Sequence, residues 1–208
     1  MMTRSQESLA ASLLEIGAIR FGAFRLKLHD TQPSAPLSPI YVDLRLLRSF
    51  PRAMRLALDV YSELAASLSF DCYADVPTAA TPLVGALAFL NQVPMISPRL
   101  DKKAHGTGTA IDGCFQPGTV ALVIDDLITR ADSKLQAIHV LETNGLRVRD
   151  IIVLVDREQG GMDELKQRGY VGHAALKLSA LLNYYSEKHS ISEEDYRRTV
   201  QYLGTAGR

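Results

Sequence analysis

Two long apolar runs, TVALVIDD at 119–126 and DIIVLVDRE at 150–158, constrain the fold more than any other feature of the sequence. Apolar side chains occupy successive positions in both runs, so each run predicts a strand that is buried on both faces, as in a parallel sheet. Between them, the apolar spacing predicts a helix over about 133–144 that stops before Gly145. This alternation predicts an α/β fold in which helices flank a central parallel sheet.

Helical spacing and short apolar runs predict the remaining elements. The predicted helices cover about Ser5–Ile16, a segment from Pro51 with Ser49 as its cap, about Pro82–Leu90, about Met162–Arg168, and a last segment whose Ser192 and Asp195 resemble a capping box. The predicted shorter strands are CYADVP, PMIS and HAALKL, and the proline-rich stretch 29–39 predicts a loop.

Composition excludes several classes of protein. The 208 residues are enough for one domain of ordinary size, and the 23 basic and 23 acidic residues balance, which argues against a dedicated nucleic-acid binder. No run of 18 apolar residues occurs, and the N-terminal segment has the pattern of an amphipathic helix rather than a signal peptide. Cys72 and Cys114 lack the spacing of a zinc site and suit a reducing compartment. We therefore expect a cytoplasmic protein that binds neither nucleic acid nor a membrane.

Asp125 and Asp126 are the first candidates for a binding site, because ligands of open parallel sheets bind beyond the carboxyl ends of the strands. The segment after them leads into a helix N-terminus, which attracts anions. Two carboxylates beside an anion cradle suit a ligand with ribose hydroxyls and a phosphate. Two alternatives are that the aspartates only cap a turn, or that they form the acidic pair of a receiver domain, although that pair lies near the N-terminus of a shorter chain.

The segment VIDDLITRADSK resembles the phosphoribosyl-pyrophosphate (PRPP) signature of type I phosphoribosyltransferases. Further segments resemble orotate phosphoribosyltransferases in particular, in that family's order over residues 20–180: FGAFRLKL with SPIYVDLRLLRSFP, VPTAATPLVGALAFLNQVPM, PRLDKKAHGTGTAIDGCFQPG and NGLRVRDIIVLVDREQGG. The resemblance implies a phosphoribosyltransferase fold, with a core over about 49–180 and a small hood built from about 1–48 and the C-terminal helices. It also implies transfer of the phosphoribosyl group from PRPP to orotate, giving orotidine 5′-monophosphate and pyrophosphate in UMP biosynthesis.

The resemblance also implies a set of site residues. The expected catalytic residues are Arg99, Lys103, His105 and Asp126, of which the first three lie on a mobile loop that acts on a neighbouring subunit's pyrophosphate in a homodimer. The expected substrate-binding residues are Lys27, Asp125 and Asp126, the 5′-phosphate loop Thr129, Arg130, Ala131, Asp132 and Ser133, and Arg157, which holds the orotate. The expected cofactor is Mg²⁺, held mainly by PRPP, with Asp125 as the candidate protein group near it.

The active-site segments also depart from the family pattern. Ala131 stands where a phosphate loop normally has glycine, and Asp132 places a carboxylate where it can cap the helix and compete with phosphate. Leu100 replaces a basic residue, and Asp75 replaces a glycine before Val76 and Pro77. These changes support a second hypothesis, a catalytically impaired homologue that acts as a nucleotide- or ligand-binding or regulatory protein.

Overall fold

The structure is a computed structural model that describes residues 2–25, 27–30, 32–100 and 110–206. The α-helices are α1 (Arg4–Glu15), α2 (Pro51–Ala65), α3 (Thr81–Asn91), α4 (Asp132–Thr143), α5 (Gly161–Gln167), α6 (Leu178–Glu187) and α7 (Glu193–Ala206). The strands are β1 (Ile19–Phe24), β2 (Ser38–Val42), β3 (Cys72–Asp75), β4 (Met95–Pro98), β5 (Ile111–Asp112), β6 (Val120–Ile128), β7 (Arg147–Asp156) and β8 (Val171–Lys177). Two short 3-10 helices cover Lys27–Asp30 and Leu44–Ser49.

The central sheet has the strand order β5-β4-β3-β6-β7-β8. All neighbouring pairs are parallel except β4 and β5. The predicted α/β fold with a central parallel sheet is therefore confirmed, with one antiparallel strand, β5, added at its edge. The carboxyl ends of β3, β6 and β7 meet at one edge of this sheet. Asp125 and Asp126 lie among the last four residues of β6, and Thr129–Ser133 and Arg157 follow β6 and β7.

The two central strands are buried on both faces, as their continuous apolar runs predict. In β7, Ile152 and Leu154 pack with the helices on one face, whereas Ile151 and Val153 belong to the cluster on the other. The first cluster includes buried residues of α1, α2, α3 and α6, and the second includes those of α4 and α5. Strands enclosed in this way present only their ends to ligands.

Several predicted boundaries are wrong in an informative way. Strand β6 continues to Ile128, so Asp125 and Asp126 lie inside a strand rather than at its end, because the ladder with β7 runs on through Leu127. Strand β7 begins at Arg147 and ends at Asp156. Strand β8 stops at Lys177, where α6 begins without a connecting turn.

The predicted caps are partly confirmed. Phe50, and not Ser49, is the N-cap residue of α2, whereas Pro51 occupies the first turn as predicted. At the start of α7, the Ser192 hydroxyl accepts the Asp195 N–H at 3.0 Å and donates to its carboxylate at 2.7 Å.

The N-terminal segment forms a small antiparallel sheet of β1 and β2, which the sequence patterns did not predict. Strand β2 begins at Ser38, inside the proline-rich stretch 29–39 for which the sequence predicts a loop. Helix α7 packs against it, and Arg198 Nη2 donates to the Gly22 carbonyl at 3.2 Å. The division into a hood and a core at about residue 48 stays a prediction. Within the described ranges, no helix has the length and apolar character needed to cross a bilayer.

Candidate active site at the carboxyl edge of the sheet

Asp125 is held in place by a buried ion pair. Its Oδ2 lies 2.6 Å from Lys134 Nζ, and the two side chains are only 6% and 5% exposed. Its Oδ1 accepts the Asp126 N–H at 2.8 Å. Lys134, on the first turns of α4, also donates to the Leu127 carbonyl at 2.5 Å. Both Asp125 oxygens are therefore engaged by the protein, which argues against Asp125 as a direct Mg²⁺ ligand.

Asp126 is the more open carboxylate of the pair. Burial, together with the neighbouring Asp125 charge, raises the pKa of Asp126 to about 7, and Lys134 opposes this rise. On the α2 side, the buried Tyr61 hydroxyl donates to the Asp125 carbonyl at 2.8 Å. Burial and the charges of both aspartates raise the Tyr61 pKa, so this hydroxyl stays a donor at neutral pH. Because burial and the Asp125 charge disfavour the ionised Asp126 carboxylate, hydrogen-bond donors from a ligand would stabilise it.

The segment Thr129–Ser133 turns from β6 into α4, as expected for an anion cradle, but its side chains differ from the expectation. Ala131 is the N-cap residue, it has an ordinary negative φ of −87°, and its methyl group is completely buried in the core. The methyl group is therefore part of the core, and the backbone at this position does not require glycine. Asp132 is exposed at the first helical position and makes no side-chain cap, so the proposed capping by Asp132 is also wrong.

The loop is already in contact with a carboxylate of the chain itself. The Ala131 N–H donates to Glu164 Oε2 at 2.8 Å, and Arg130 Nη2 lies 2.5 Å from Glu164 Oε1. Sequence patterns did not single out Glu164, which lies on the first turns of α5 and just past the DREQGG segment. Only the three-dimensional approach of α5 to the loop reveals it.

Arg157 follows the last residue of β7 and is 8% exposed. The backbone N–H of Arg157 donates to the Ile128 carbonyl at 2.9 Å, and this bond fixes the Arg157 backbone beside the end of β6. Within the described residues, the side-chain Nε and Nη2 atoms have no hydrogen-bond partner. Neighbouring acids do not neutralise it, because Glu158 binds Ser179 and Asp156 accepts the Glu158 N–H. Burial lowers the Arg157 pKa, while the ionisable Tyr202 of α7 opposes this shift. A buried guanidinium of this kind calls for an anionic ligand.

A cleft of about 790 Å³ lies at the ends of β3 and β4. Asp75, at the end of β3, is fully buried, and one of its carboxylate oxygens accepts the Thr81 hydroxyl. Arg99 follows β4, and its backbone N–H donates to the Ala110 carbonyl at 2.8 Å. Its guanidinium pairs with both carboxylate oxygens of Asp112, while Leu100 packs against the core. The other Asp75 oxygen, Oδ1, is buried without a hydrogen-bond partner among the described residues, and Leu100 is only partly buried.

Three expected site residues cannot be placed. Lys103 and His105 lie outside the described residues, as does the Lys27 side chain, although the Lys27 backbone is part of the first 3-10 helix. Of the remaining set, the fold brings Asp125, Asp126, the loop Thr129–Ser133 and Arg157 to the same sheet edge. Sequence reasoning missed Lys134 as well as Glu164. For Lys134, the only signal in the sequence is its position two residues after Asp132, the expected helix cap.

Known proteins resemble the chain over almost its whole length. It is 34% identical over 191 residues to the orotate phosphoribosyltransferase of Pyrobaculum islandicum, which covers 91% of this chain and 95% of that protein. It is 36% identical over 188 residues to the bifunctional enzyme PyrF/PyrE of a Nostoc species, covering 90% of this chain and 38% of that protein. No protein-family model matches the chain.

A solved structure agrees with the sequence relatives. The structure of Leishmania donovani UMP synthase superimposes with a TM-score of 0.84 at 35% identity, covering 96% of this chain and 42% of that chain. The chain spans about two fifths of the length of the first bifunctional relatives it matches. Because the single-function relative is matched over nearly its full length, and because the sheet edge carries the residues expected from the PRPP signature, the chain belongs to the orotate phosphoribosyltransferase family.

Proposed function

We propose that the chain transfers the 5-phosphoribosyl group from PRPP to orotate, giving orotidine 5′-monophosphate and pyrophosphate in UMP biosynthesis. In this reaction the bond between the anomeric carbon and the pyrophosphate oxygen breaks, and pyrophosphate leaves with the electron pair. A new bond joins the orotate ring nitrogen to the anomeric carbon, and the proton of that nitrogen is released to the pyrophosphate or to water. Relatives that carry the name orotate phosphoribosyltransferase support the proposal.

The observation that carries the proposal is the buried Arg157 guanidinium, whose Nε and Nη2 have no partner among the described residues. Orotate is a planar carboxylate, and a guanidinium fork is its natural partner. Arg157 lies at the end of β7, next to the β6 strand that carries Asp126. An orotate bound to Arg157 is therefore aimed at a ribose whose hydroxyls donate to Asp126, with the 5′-phosphate in the loop Thr129–Ser133.

Mg²⁺ is the cofactor of this proposal. The described residues contain no group of three or more His, Cys, Asp or Glu side chains that could hold a metal ion. Mg²⁺ is commonly held by substrate phosphates with only one or two carboxylates from the protein, and the proposal assigns it to the phosphates of PRPP. When bound, Mg²⁺ neutralises charge on the departing pyrophosphate. We propose a cytoplasmic location for this chemistry, in line with the unpaired thiols Cys72 and Cys114.

A homodimer is part of the proposal. Helix α3 is apolar on nearly all sides, as is typical of a buried helix, yet its outer face is exposed, with Phe89 81% exposed. Near this helix, Arg99 and Ala110 bracket the segment with Lys103 and His105. A second copy seated on α3 covers the apolar face and brings Arg99 close to its neighbour's site. In that arrangement the Arg99 guanidinium leaves the Asp112 carboxylate and binds pyrophosphate instead.

The test follows the loss of orotate absorbance by the purified chain with PRPP and Mg²⁺, with PRPP omitted as the control. We expect PRPP-dependent turnover. Arg157→Lys keeps the charge but removes the fork, so it should raise the KM for orotate about 10- to 100-fold, the effect of losing one charged hydrogen bond. Arg168→Lys, at an exposed arginine, is the matched control. A folded chain without turnover would favour the second hypothesis of a non-catalytic homologue.

A further inference from the structure

We propose that Glu164 is a built-in competitor for the 5′-phosphate of PRPP and thereby sets the affinity of the site for that substrate. The Glu164 carboxylate accepts the Ala131 N–H and pairs with Arg130, so it engages one backbone donor and the one cation of the loop at the same time. A phosphate needs the same two partners. This inference rests on the proposed function of the loop.

The backbone places Glu164 at the loop by a specific close approach. The Gly161 N–H donates to the Thr129 carbonyl at 3.1 Å. A Cβ atom at Gly161 would lie 2.6 Å from an Ile128 side-chain carbon and 3.0 Å from the Thr129 oxygen, so only glycine permits this approach. Glu164 lies one helical turn after Gly161, and its carboxylate therefore reaches the Ala131 N–H. The second glycine of DREQGG is thus what brings α5 against the loop.

The competition has a simple physical form. A carboxylate on an N–H and a guanidinium forms charge-assisted hydrogen bonds, which are stronger than neutral ones. PRPP can enter only when this contact opens, and the observed affinity is the intrinsic affinity multiplied by the fraction of open loops. When the loop is occupied, a displaced Glu164 still lies near a phosphate of like charge. Glu164 therefore weakens phosphate binding twice, once by occupancy and once by repulsion.

The test measures direct binding by calorimetry, without relying on turnover. Ribose 5-phosphate, inorganic phosphate and PRPP with Mg²⁺ are titrated into the wild type, Glu164→Gln, Glu164→Ala and Asp163→Asn. Asp163 is the exposed neighbour of Glu164, and its replacement removes the same charge from the same helix. Thermal unfolding without ligand verifies that all four proteins are folded.

We expect Glu164→Ala to bind ribose 5-phosphate about tenfold more tightly than the wild type, with Glu164→Gln intermediate, and Asp163→Asn to change the affinity less than twofold. Equal or weaker binding by the Glu164 variants would overturn the inference and assign Glu164 to positioning Arg130. Equal tightening by Asp163→Asn would overturn it as well, since the effect would then be one of net charge. If none of the four proteins binds any of the three ligands, the proposed function fails together with the inference, whereas unchanged binding in the Glu164 variants overturns the inference alone.

Discussion

Asp126 links the chemistry of the site to the stability of the protein. Its pKa is about 7 in the folded chain and 3.8 for the unperturbed side chain. Between these values the folded state binds more protons than the unfolded state, so the free energy of unfolding falls as the pH rises from about 4 to about 7. The stabilisation is complete below pH 3.8 and is lost as the pH passes the folded pKa.

Asp126→Asn should remove this loss of stability, because an amide has no charge to desolvate. At pH 8 the variant should be more stable than the wild type by up to about 4 kcal/mol, and the difference should vanish near pH 4. Urea unfolding at both pH values measures it. A stability difference of equal size at pH 4 and pH 8 would contradict this explanation.

Asp132 and Ala131 should have opposite consequences when they are changed to the glycine expected in a phosphate loop. Asp132 is exposed beside the cradle, and two unit charges about 5 Å apart repel by at most ~3 kcal/mol at a dielectric of ~20, so Asp132→Gly should tighten PRPP binding. Ala131→Gly should only destabilise the protein, by about 1 kcal/mol, because it removes a buried methyl group. PRPP titration and urea unfolding of both single variants and the double variant separate the two effects. No gain from Asp132→Gly would show that the carboxylate does not oppose phosphate.

At the scale of elements, the ion pair between Lys134 and Asp125 joins α4 to β6. Lys134→Met leaves the Asp125 carboxylate buried and without its cation, so it should lower the free energy of unfolding by about 3 to 5 kcal/mol. Adding Asp125→Asn removes the uncompensated charge and should restore most of this stability. Urea unfolding of the single and double variants is the measurement. A double variant no more stable than the single one would mean that packing, and not charge, determines the loss.

The elements that the sequence predicted well are those with a local signal. Strands β6 and β7 were predicted from their apolar runs, because a strand that is buried on both faces needs apolar side chains at successive positions. The end of β6 was misplaced, because Asp125 and Asp126 resemble a strand end, whereas their partners in β7 extend the ladder to Ile128. The β1–β2 pair was missed, since α7, from the other end of the sequence, covers it.

The candidate site shows the same limit. The resemblance to a family identified Asp125, Asp126 and Arg157 and the loop between them, and the fold brings these to one edge of the sheet. It did not predict the contacts among them. Lys134 is engaged with Asp125 and Glu164 with the loop because helices α4 and α5 pack against the sheet, and sequence spacing does not encode this geometry.

At the scale of the whole molecule, distant parts of the chain meet around the site. Helix α7 packs on the small sheet near the N-terminus, and the ionisable Tyr202 of this helix faces Arg157 closely enough to affect its pKa. Hence the C-terminal helix contributes to the surroundings of the proposed orotate site. Among the described residues, the large apolar side chain with the greatest exposure is Phe89, on the outer face of α3.

Phe89→Asp tests whether a second copy covers that face. Phe89 is 81% exposed, so the change should leave the fold of the single chain intact, but a buried, unpaired carboxylate in the interface should shift the protein from dimer to monomer at micromolar concentration. If Arg99 and its neighbours act across the interface, turnover should fall at least tenfold while the protein stays folded. Val171→Asp, at another exposed apolar residue (51%) on the edge strand β8, is the matched control and should remain dimeric and active. Sedimentation equilibrium and the orotate assay measure the two effects, and a Phe89→Asp protein that stays dimeric would place the interface elsewhere than on α3.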